Sequence, residues 1–365
     1  MHSLSAPLRF LIIRRDNIGD LVCTTPLLRA LRAHYPGAYI AALVNSYNRS
    51  VVENNPDINA LFSYTKLKHR AHGRSIVRTY LERLRLLMAL RRMRFDYIIL
   101  AGPGFLSRVL RTARFINPRH IIGFTDPNQR SPTGLDGGIP YALPLPLHEA
   151  EDVFRLLAPL GIQGKPPCMS IVTDPESRLR AQGRLADLDF RGAAMLIGIH
   201  ISARKPGQRW PAAHFVELIR KLHTHYKAAF ILFWSPGAAD NALHPGDDDK
   251  ADQIMAQLKG LPIMAYPTQE LRDLIGALSL CDFVICSDGG AMHIAAALGK
   301  PIVCFFGNSD KTRWYPWGVP HVLLQPESLD VSDISVDMAM SGFEKLLSLS
   351  GADASIVVPV TSHTS

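Results

Sequence analysis

Residues 281–307, CDFVICSDGGAMHIAAALGKPIVCFFG, constrain the fold of this chain more than any other stretch. Residues 283–286 are an apolar run without alternation. That is the pattern of a strand buried on both faces, and hence of a parallel sheet covered by helices. Ser287, Asp288, Gly289 and Gly290 break the run. Residues 291–298 predict a helix and residues 301–306 the next strand. A strand that passes through a polar, glycine-bearing turn into a helix makes an anion site, because first-turn amides lack an intrahelical carbonyl and point outward. Glycine lets a phosphate approach the backbone with no Cβ in the way. Asp288 is placed to cap the helix or to bind a ligand hydroxyl, and His293 lies near the same mouth. An ordinary βα turn with Asp288 as its N-cap also fits these residues.

The chain opens on the same alternation. Residues 9–14 (RFLIIR) predict a strand, 15–20 (RDNIGD) a turn, 21–34 a helix and 39–44 a second strand. Pro26 falls in the first two turns of that helix, where it is tolerated better than in the interior. Gly19 and Asp20 therefore stand at the strand's C-terminal mouth, where open α/β sheets bind ligands. This turn has one glycine and no GxGxxG, which disfavours a dinucleotide. Asp20 reads as a reactive carboxylate or as a helix cap.

Residues 61–64 and 96–100 predict strands. Between them lie Lys66, Lys68, Arg70, Arg74, Arg78, Arg83, Arg85, Arg91, Arg92 and Arg94 against Glu82 alone. Ile76, Tyr80, Leu84, Leu87 and Leu90 predict a core-facing helical stripe with arginines on the other face. Such a face is either simply solvated or contacts anionic lipid headgroups or a phosphorylated acceptor. Interleaved aromatics are few, which disfavours a nucleic-acid groove.

A strand at 120–124, a Pro/Gly-rich loop over 125–146 and a helix over 148–161 follow, and residues 163–192 read as a boundary. A second array then predicts strands at 196–200, 229–234 and 262–266, with helices over 212–226 and 270–280. Two consecutive βα arrays predict an α/β chain of two Rossmann-like domains facing a central cleft, residues 1–180 and 181–345, with a loose tail over 346–365. A chain of 365 residues that is 47% hydrophobic suits two such cores. It has no apolar run of about 18 residues to span a bilayer. The N-terminus has no long apolar region with a cleavage site, so a cytoplasmic protein is expected. Five cysteines without CxxC spacing read as buried structural residues. A net charge of +8 predicts an anionic partner. Asp247, Asp248 and Asp249 read as a solvated helix start rather than a metal site.

Two segments carry a family resemblance. RFLIIRRDNIGDLVCTTPLLRALRAHYP, with its IGD turn, resembles the N-terminal signature of glycosyltransferase family 9, the ADP-heptose:lipopolysaccharide heptosyltransferases. DFVICSDGGAMHIAAALGKPIVCFFGNSDKTRWYPWG resembles the same family's C-terminal signature, usually D-T-G-P-M-H followed by AAALGKP and FGPTDP. HEAEDVFRLLAPLG and the QRWP segment are similar as well, so the likeness covers roughly residues 8–345 in order.

The resemblance implies a GT-B architecture, with the acceptor on the N-terminal domain and a nucleotide-sugar on the C-terminal one. It places the general base at Asp20 and the donor diphosphate at Asp288, Gly289, Gly290, Ala291 and His293, with Ser202, Arg204, Lys205 and Arg209 on the donor side. Gly19, Arg85, Arg91 and Arg92 fall to the acceptor. ADP-heptose as donor and a lipopolysaccharide core as acceptor rest on the resemblance. A single displacement by the acceptor would invert the anomeric centre, and with no Asp-x-Asp pair placed at the diphosphate no metal or other cofactor is expected. The partner expected is an anionic glycolipid, at the inner face of the cytoplasmic membrane. Gly289 departs from the family threonine. Gln208 stands where the family often has a lysine, so Arg204, Lys205 or Arg209 is left to supply that charge. A nucleotide-sugar epimerase or hydrolase, or a non-catalytic membrane-apposed module, is the alternative on the same architecture.

Overall fold

The computed structural model describes residues 7–64, 76–126, 134–141, 143, 146–186, 192–241 and 245–351, without the side chains of residues 76 and 77. Contacts divide the chain into two compact units, Met1–Val172 and Thr173–Ser365. The basic residues Lys66, Lys68, Arg70 and Arg74 lie outside the described residues, as do residues 352–365 of the expected tail.

In the first unit, β1 (Arg9–Ile13), β2 (Tyr39–Asn45), β3 (Ala60–Tyr64), β4 (Tyr97–Leu100), β5 (His120–Thr125) and β6 (Gly137–Pro140) form one parallel sheet in the order β3-β2-β1-β4-β5-β6. The helices α1 (Ile18–Val22), α2 (Thr25–His34), α3 (Ile76–Arg92), α4 (Ser107–Ile116) and α5 (Glu149–Phe154) connect and follow these strands. Continuous apolar strands make sense here because helices cover the sheet: Phe10, Leu11, Ile12 and Ile13 are all buried.

The second unit begins with α6 (Pro175–Ala186). It continues through β7 (Met195–His200), α7 (Ala212–Tyr226), β8 (Ala228–Trp234), α8 (Asp248–Gln257), β9 (Ile263–Pro267) and α9 (Leu271–Leu278). Then come β10 (Phe283–Ser287), α10 (Gly290–Ala297), β11 (Ile302–Phe305), α11 (Lys311–Trp314), β12 (His321–Leu324) and α12 (Val336–Ser350). Its parallel sheet runs β12-β11-β10-β7-β8-β9. Counted from each unit's first strand, both sheets have the 3-2-1-4-5-6 order of a Rossmann fold. Trp210 of the QRWP segment is a core residue, edge-on to Phe215 at 4.8 Å with its indole N–H donated to the Ile334 carbonyl. The chain is an α/β protein of two Rossmann-like units.

In its elements and boundaries the structure departs from the sequence expectations in five places; in addition Cys168 is exposed, unlike the other four cysteines, and Gly289 rather than Asp288 is the N-cap of α10. The single helix expected over 21–34 is two, α1 and α2, because Pro26 starts a new helix and leaves carbonyls behind it. The Thr24 and Thr25 hydroxyls satisfy two of these, donating to Asp20 O (2.9 Å) and Val22 O (2.8 Å). The loop expected over 125–146 contains β6, whose GGIP sequence suits an edge strand that needs few donors. The core stripe on α3 is displaced: Tyr80 and Leu84 are exposed, while Leu86, Leu87 and Leu90 pack against α4 and the first sheet. Residues 173–180 go with the second unit because α6 packs on α9, with Arg180 on Asp273 at 3.0 Å. The last helix runs to Ser350, so residues 346–350 are helical.

Candidate active site

Each sheet reverses its winding between its first and fourth strands, and the loops that leave those strands splay apart at their C-terminal ends. That is where open α/β sheets make room for a ligand. In the first unit, β1 delivers Arg14, Asp16 and Asp20 there. In the second, β10 delivers Asp288 and the start of α10.

Arg14 is fully buried and is the hub of the first cluster. Its Nη2 donates to Asp20 Oδ1 at 2.8 Å and to Glu149 Oε1 at 2.7 Å, its Nε lies 3.2 Å from Asp16 Oδ2, and its Nη1 donates to the Ala101 carbonyl. A buried guanidinium needs this density of acceptors, since an unpaired one carries a large desolvation penalty. Burial alone would lower the Arg14 pKa, but Glu149, Asp20 and Asp16 outweigh it and hold it above its ordinary value. Asp20 is the third residue of α1 and accepts the Asn17 N–H at Oδ2 (2.9 Å), completing a capping box. Burial would raise its pKa; Arg14 and the Asn17 amide prevail and keep it below the usual aspartate value. Gly19 precedes it in α1 and is buried. Asp20 is therefore not the helix cap the sequence offered, since Asn17 holds that position, but the N3 partner of its capping box, and it stands ionised at the strand mouth. A pocket beside the cluster is lined by Asp16, Arg15, Gly102, Phe105, Leu106 and Phe124, among others.

The basic residues assigned to the acceptor separate. Arg85 and Arg92 are exposed on α3. Arg91 donates to the Phe115 carbonyl of α4 at 2.5 Å and covers the Phe115 ring, so it ties the two helices together.

In the second unit Gly289 is extended and Gly290 opens α10, so Gly290, Ala291 and Met292 carry the outward amides of the first turn. A Cβ added to Gly289 would meet nothing within 4 Å. The space over the turn is open. His293 is buried, edge-on to Trp314 at 5.8 Å. Gln208, in the place of the family lysine, donates from one amide nitrogen to Asp288 Oδ2 (2.9 Å) and Ser309 Oγ (2.8 Å). The loops after β7, β10 and β11 are thereby joined by one neutral side chain.

Of the three cations considered as substitutes, Arg209 is committed: its Nη2 lies 3.1 Å from Asp247 Oδ2 and its Nε donates to the Ala203 carbonyl at 2.9 Å. Arg204 and Lys205 are exposed. Ser202 Oγ accepts the Ser235 N–H at 2.9 Å. Beneath this loop burial pushes His200 down to about 4, so it is neutral, and takes Lys250 down to about 8. Lys250 Nζ donates to the Ile201 carbonyl at 3.1 Å. Asp247 therefore serves Arg209 rather than a free loop, and burial raises its pKa.

Arg14, Glu149 and Lys250 escape a reading of the sequence, and Asp247, read there as part of a solvated helix start, is instead buried against Arg209. The Glu149 segment HEAEDVF is conspicuous in the sequence, but nothing in it shows that its carboxylate reaches back to β1.

Comparison with known proteins agrees with this architecture. The profile of glycosyltransferase family 9 (heptosyltransferase) matches residues 83–328. Lipopolysaccharide heptosyltransferase 3 of Escherichia coli is 26% identical over 306 residues, covering 82% of this chain and 83% of that protein. The glycosyl transferase family 9 structure from Veillonella parvula superimposes with a TM-score of 0.78 at 21% identity, covering 95% of this chain and 99% of that one. The E. coli ADP-heptose LPS heptosyltransferase II does so with a TM-score of 0.73 at 19% identity, covering 94% and 100%. Taken with two Rossmann sheets that each present a charged or amide-rich turn at the switch point, these matches establish that the chain belongs to glycosyltransferase family 9 and is a glycosyltransferase.

Proposed function

We propose that the chain moves a heptose from ADP-heptose onto a hydroxyl of a lipopolysaccharide core or related glycolipid, in one displacement that inverts the anomeric centre and uses no metal. The observation that carries this reading is the pairing of two sites: an ionised, buried carboxylate at one switch point and an open helix N-terminus at the other. The names of the relatives supply the sugar and the acceptor class.

Asp20 is the proposed base. Each carboxylate oxygen has two lone pairs, so the bonds from Arg14 and Asn17 leave capacity for a proton. Its lowered pKa makes it a weak base toward a neutral hydroxyl. Proton transfer then comes late, once the forming C–O bond has made the acceptor proton acidic. Arg14 and the Asn17 amide hold Asp20 in place, and Gly19 beside it is left to the acceptor. On the donor side, the amides of Gly290 and Ala291 with the α10 dipole receive the diphosphate, which gains roughly one negative charge as the glycosidic bond breaks. Asp288 and His293 shape the turn. Arg204 and Lys205 are the proposed cations in place of the lysine replaced by Gln208, since Arg209 is held by Asp247. Arg85 and Arg92 meet the anionic acceptor at the membrane surface, with Arg91 fixing α3 on α4. No nucleic acid takes part.

Gly290→Val tests the donor assignment. Gly290 is helical, and valine is not disfavoured against glycine there, so the unliganded Tm should stay close to wild type. ADP at about 100 times its Kd should stabilise the wild type by about 2.7 kcal/mol and leave the variant unmoved in a thermal-shift titration. Equal stabilisation of both proteins would remove the donor from this turn.

A further inference from the structure

The face that α3 turns to solvent is apolar as well as basic. Tyr80 (54% exposed), Leu84 (50%) and Met88 (38%) follow one another at four-residue spacing and so share one side of the helix, with Leu81 (48%) beside them. Phe115 of α4, 38% exposed and under Arg91, extends the patch. Arg78, Arg85 and Arg92 border it, and the only acidic residue of α3 is Glu82. The helix is held to the unit along the neighbouring face, where Leu86, Leu87 and Leu90 pack, which leaves this stripe to solvent.

We propose that this face of α3 is a docking surface for an anionic lipid bilayer, with the arginines at the headgroups and Tyr80, Leu81, Leu84 and Met88 entering the acyl boundary. An apolar stripe edged by long cationic side chains is the pattern that lies in a membrane interface, since arginine stems run along apolar surface while their heads stay at the phosphates. A tyrosine at the margin suits the same zone. An anionic bilayer offers phosphates and an acyl boundary together along the length of the helix, whereas a protein partner would need acidic groups placed to match each bordering arginine. A second copy would set these arginines against their own equivalents across a two-fold axis. The inference extends the proposed glycolipid acceptor, yet its test needs no catalysis.

Vesicles of phosphatidylcholine with and without phosphatidylglycerol provide the test, with the full chain co-sedimented at low and high salt. The wild type should bind the phosphatidylglycerol vesicles. Arg85→Gln/Arg92→Gln should weaken binding at low salt and differ little from wild type at high salt, where exposed charges are screened. Leu81→Ser/Leu84→Ser/Met88→Ser should weaken it roughly tenfold or more at both salts, because lost apolar insertion is not screened. ADP-dependent thermal stabilisation of the serine variant should equal that of wild type, which shows that it is folded. Absence of wild-type binding, or wild-type binding by the serine variant, overturns the proposal. So does sedimentation velocity showing that the serine changes dissociate a dimer while vesicle binding is kept, which would make a second copy the occupant.

Discussion

Asp20→Asn should lower turnover by about 100-fold or more, the scale of a lost general base, while ADP binding in the second unit stays as in wild type. The side chain is 10% exposed, and both its oxygens are engaged, one by Arg14 and one by the Asn17 amide. An asparagine has a single oxygen for two donors, so it also gives up one hydrogen bond to a charged group, about 1.5–3 kcal/mol. The variant should therefore fold with a lower urea midpoint, and the two effects are separated by assaying well below that midpoint. Wild-type turnover there would leave Asp20 with its capping role alone.

The pH dependence follows from the direction of its pKa. Because the folded value lies below that of an ordinary aspartate, the base is ionised throughout the neutral range, and the acid limb of turnover should fall below the usual carboxylate range. Its stabilisation is present in full above the unfolded pKa and is lost as pH falls through the folded one.

Arg14→Met should be the most destabilising single change in the first unit. It removes the guanidinium that bonds Asp20 and Glu149 and pairs with Asp16, and leaves the buried Asp20 and Glu149 carboxylates without it. Breaking such a buried cluster by removing one partner costs about 3–5 kcal/mol. Its pH signature is opposite to that of wild type. Without the guanidinium, burial raises the folded carboxylate pKa values, so stability is present at low pH and is lost as pH rises through them. Urea midpoints at about pH 7 and about pH 5 should therefore rank the variant more stable at the lower pH, unlike wild type. A variant that matches wild type at both would show that the cluster contributes nothing to the fold.

Much of the architecture was legible in the chain because local signals and tertiary structure agree. The run before Ser287 is a strand buried on both faces, the glycines mark the turn, and α10 begins within a residue of its expected start. Asp20 and the Asp288 turn were visible as candidates because open α/β sheets take ligands at the C-terminal ends of their strands, which the alternation of strand and helix already marks.

What stayed hidden depends on partners distant in sequence. Arg14 ends a strand beside Arg15 and looks like one of two solvent-facing cations; its burial depends on Glu149, 135 residues away. The orientation of α3 could not be read because the helix is apolar on two sides, and packing against α4 decides which one is covered. β6 was missed because glycine and proline carry loop character by composition and become a strand only through pairing with β5. The engagement of Arg209 by Asp247 removes one of three candidate cations, a choice that spacing alone could not make.

The transfer reaction itself is the most direct test of the account. Incubated with ADP-heptose and a heptose-accepting lipopolysaccharide core, in buffer with a chelator, the protein should release ADP and add one heptose to the acceptor, seen by mass spectrometry, with the new linkage inverted by NMR. Asp20→Asn run in parallel should give little product. Release of ADP without an acceptor, transfer that depends on an added divalent metal, or retention of the anomeric configuration would contradict the account.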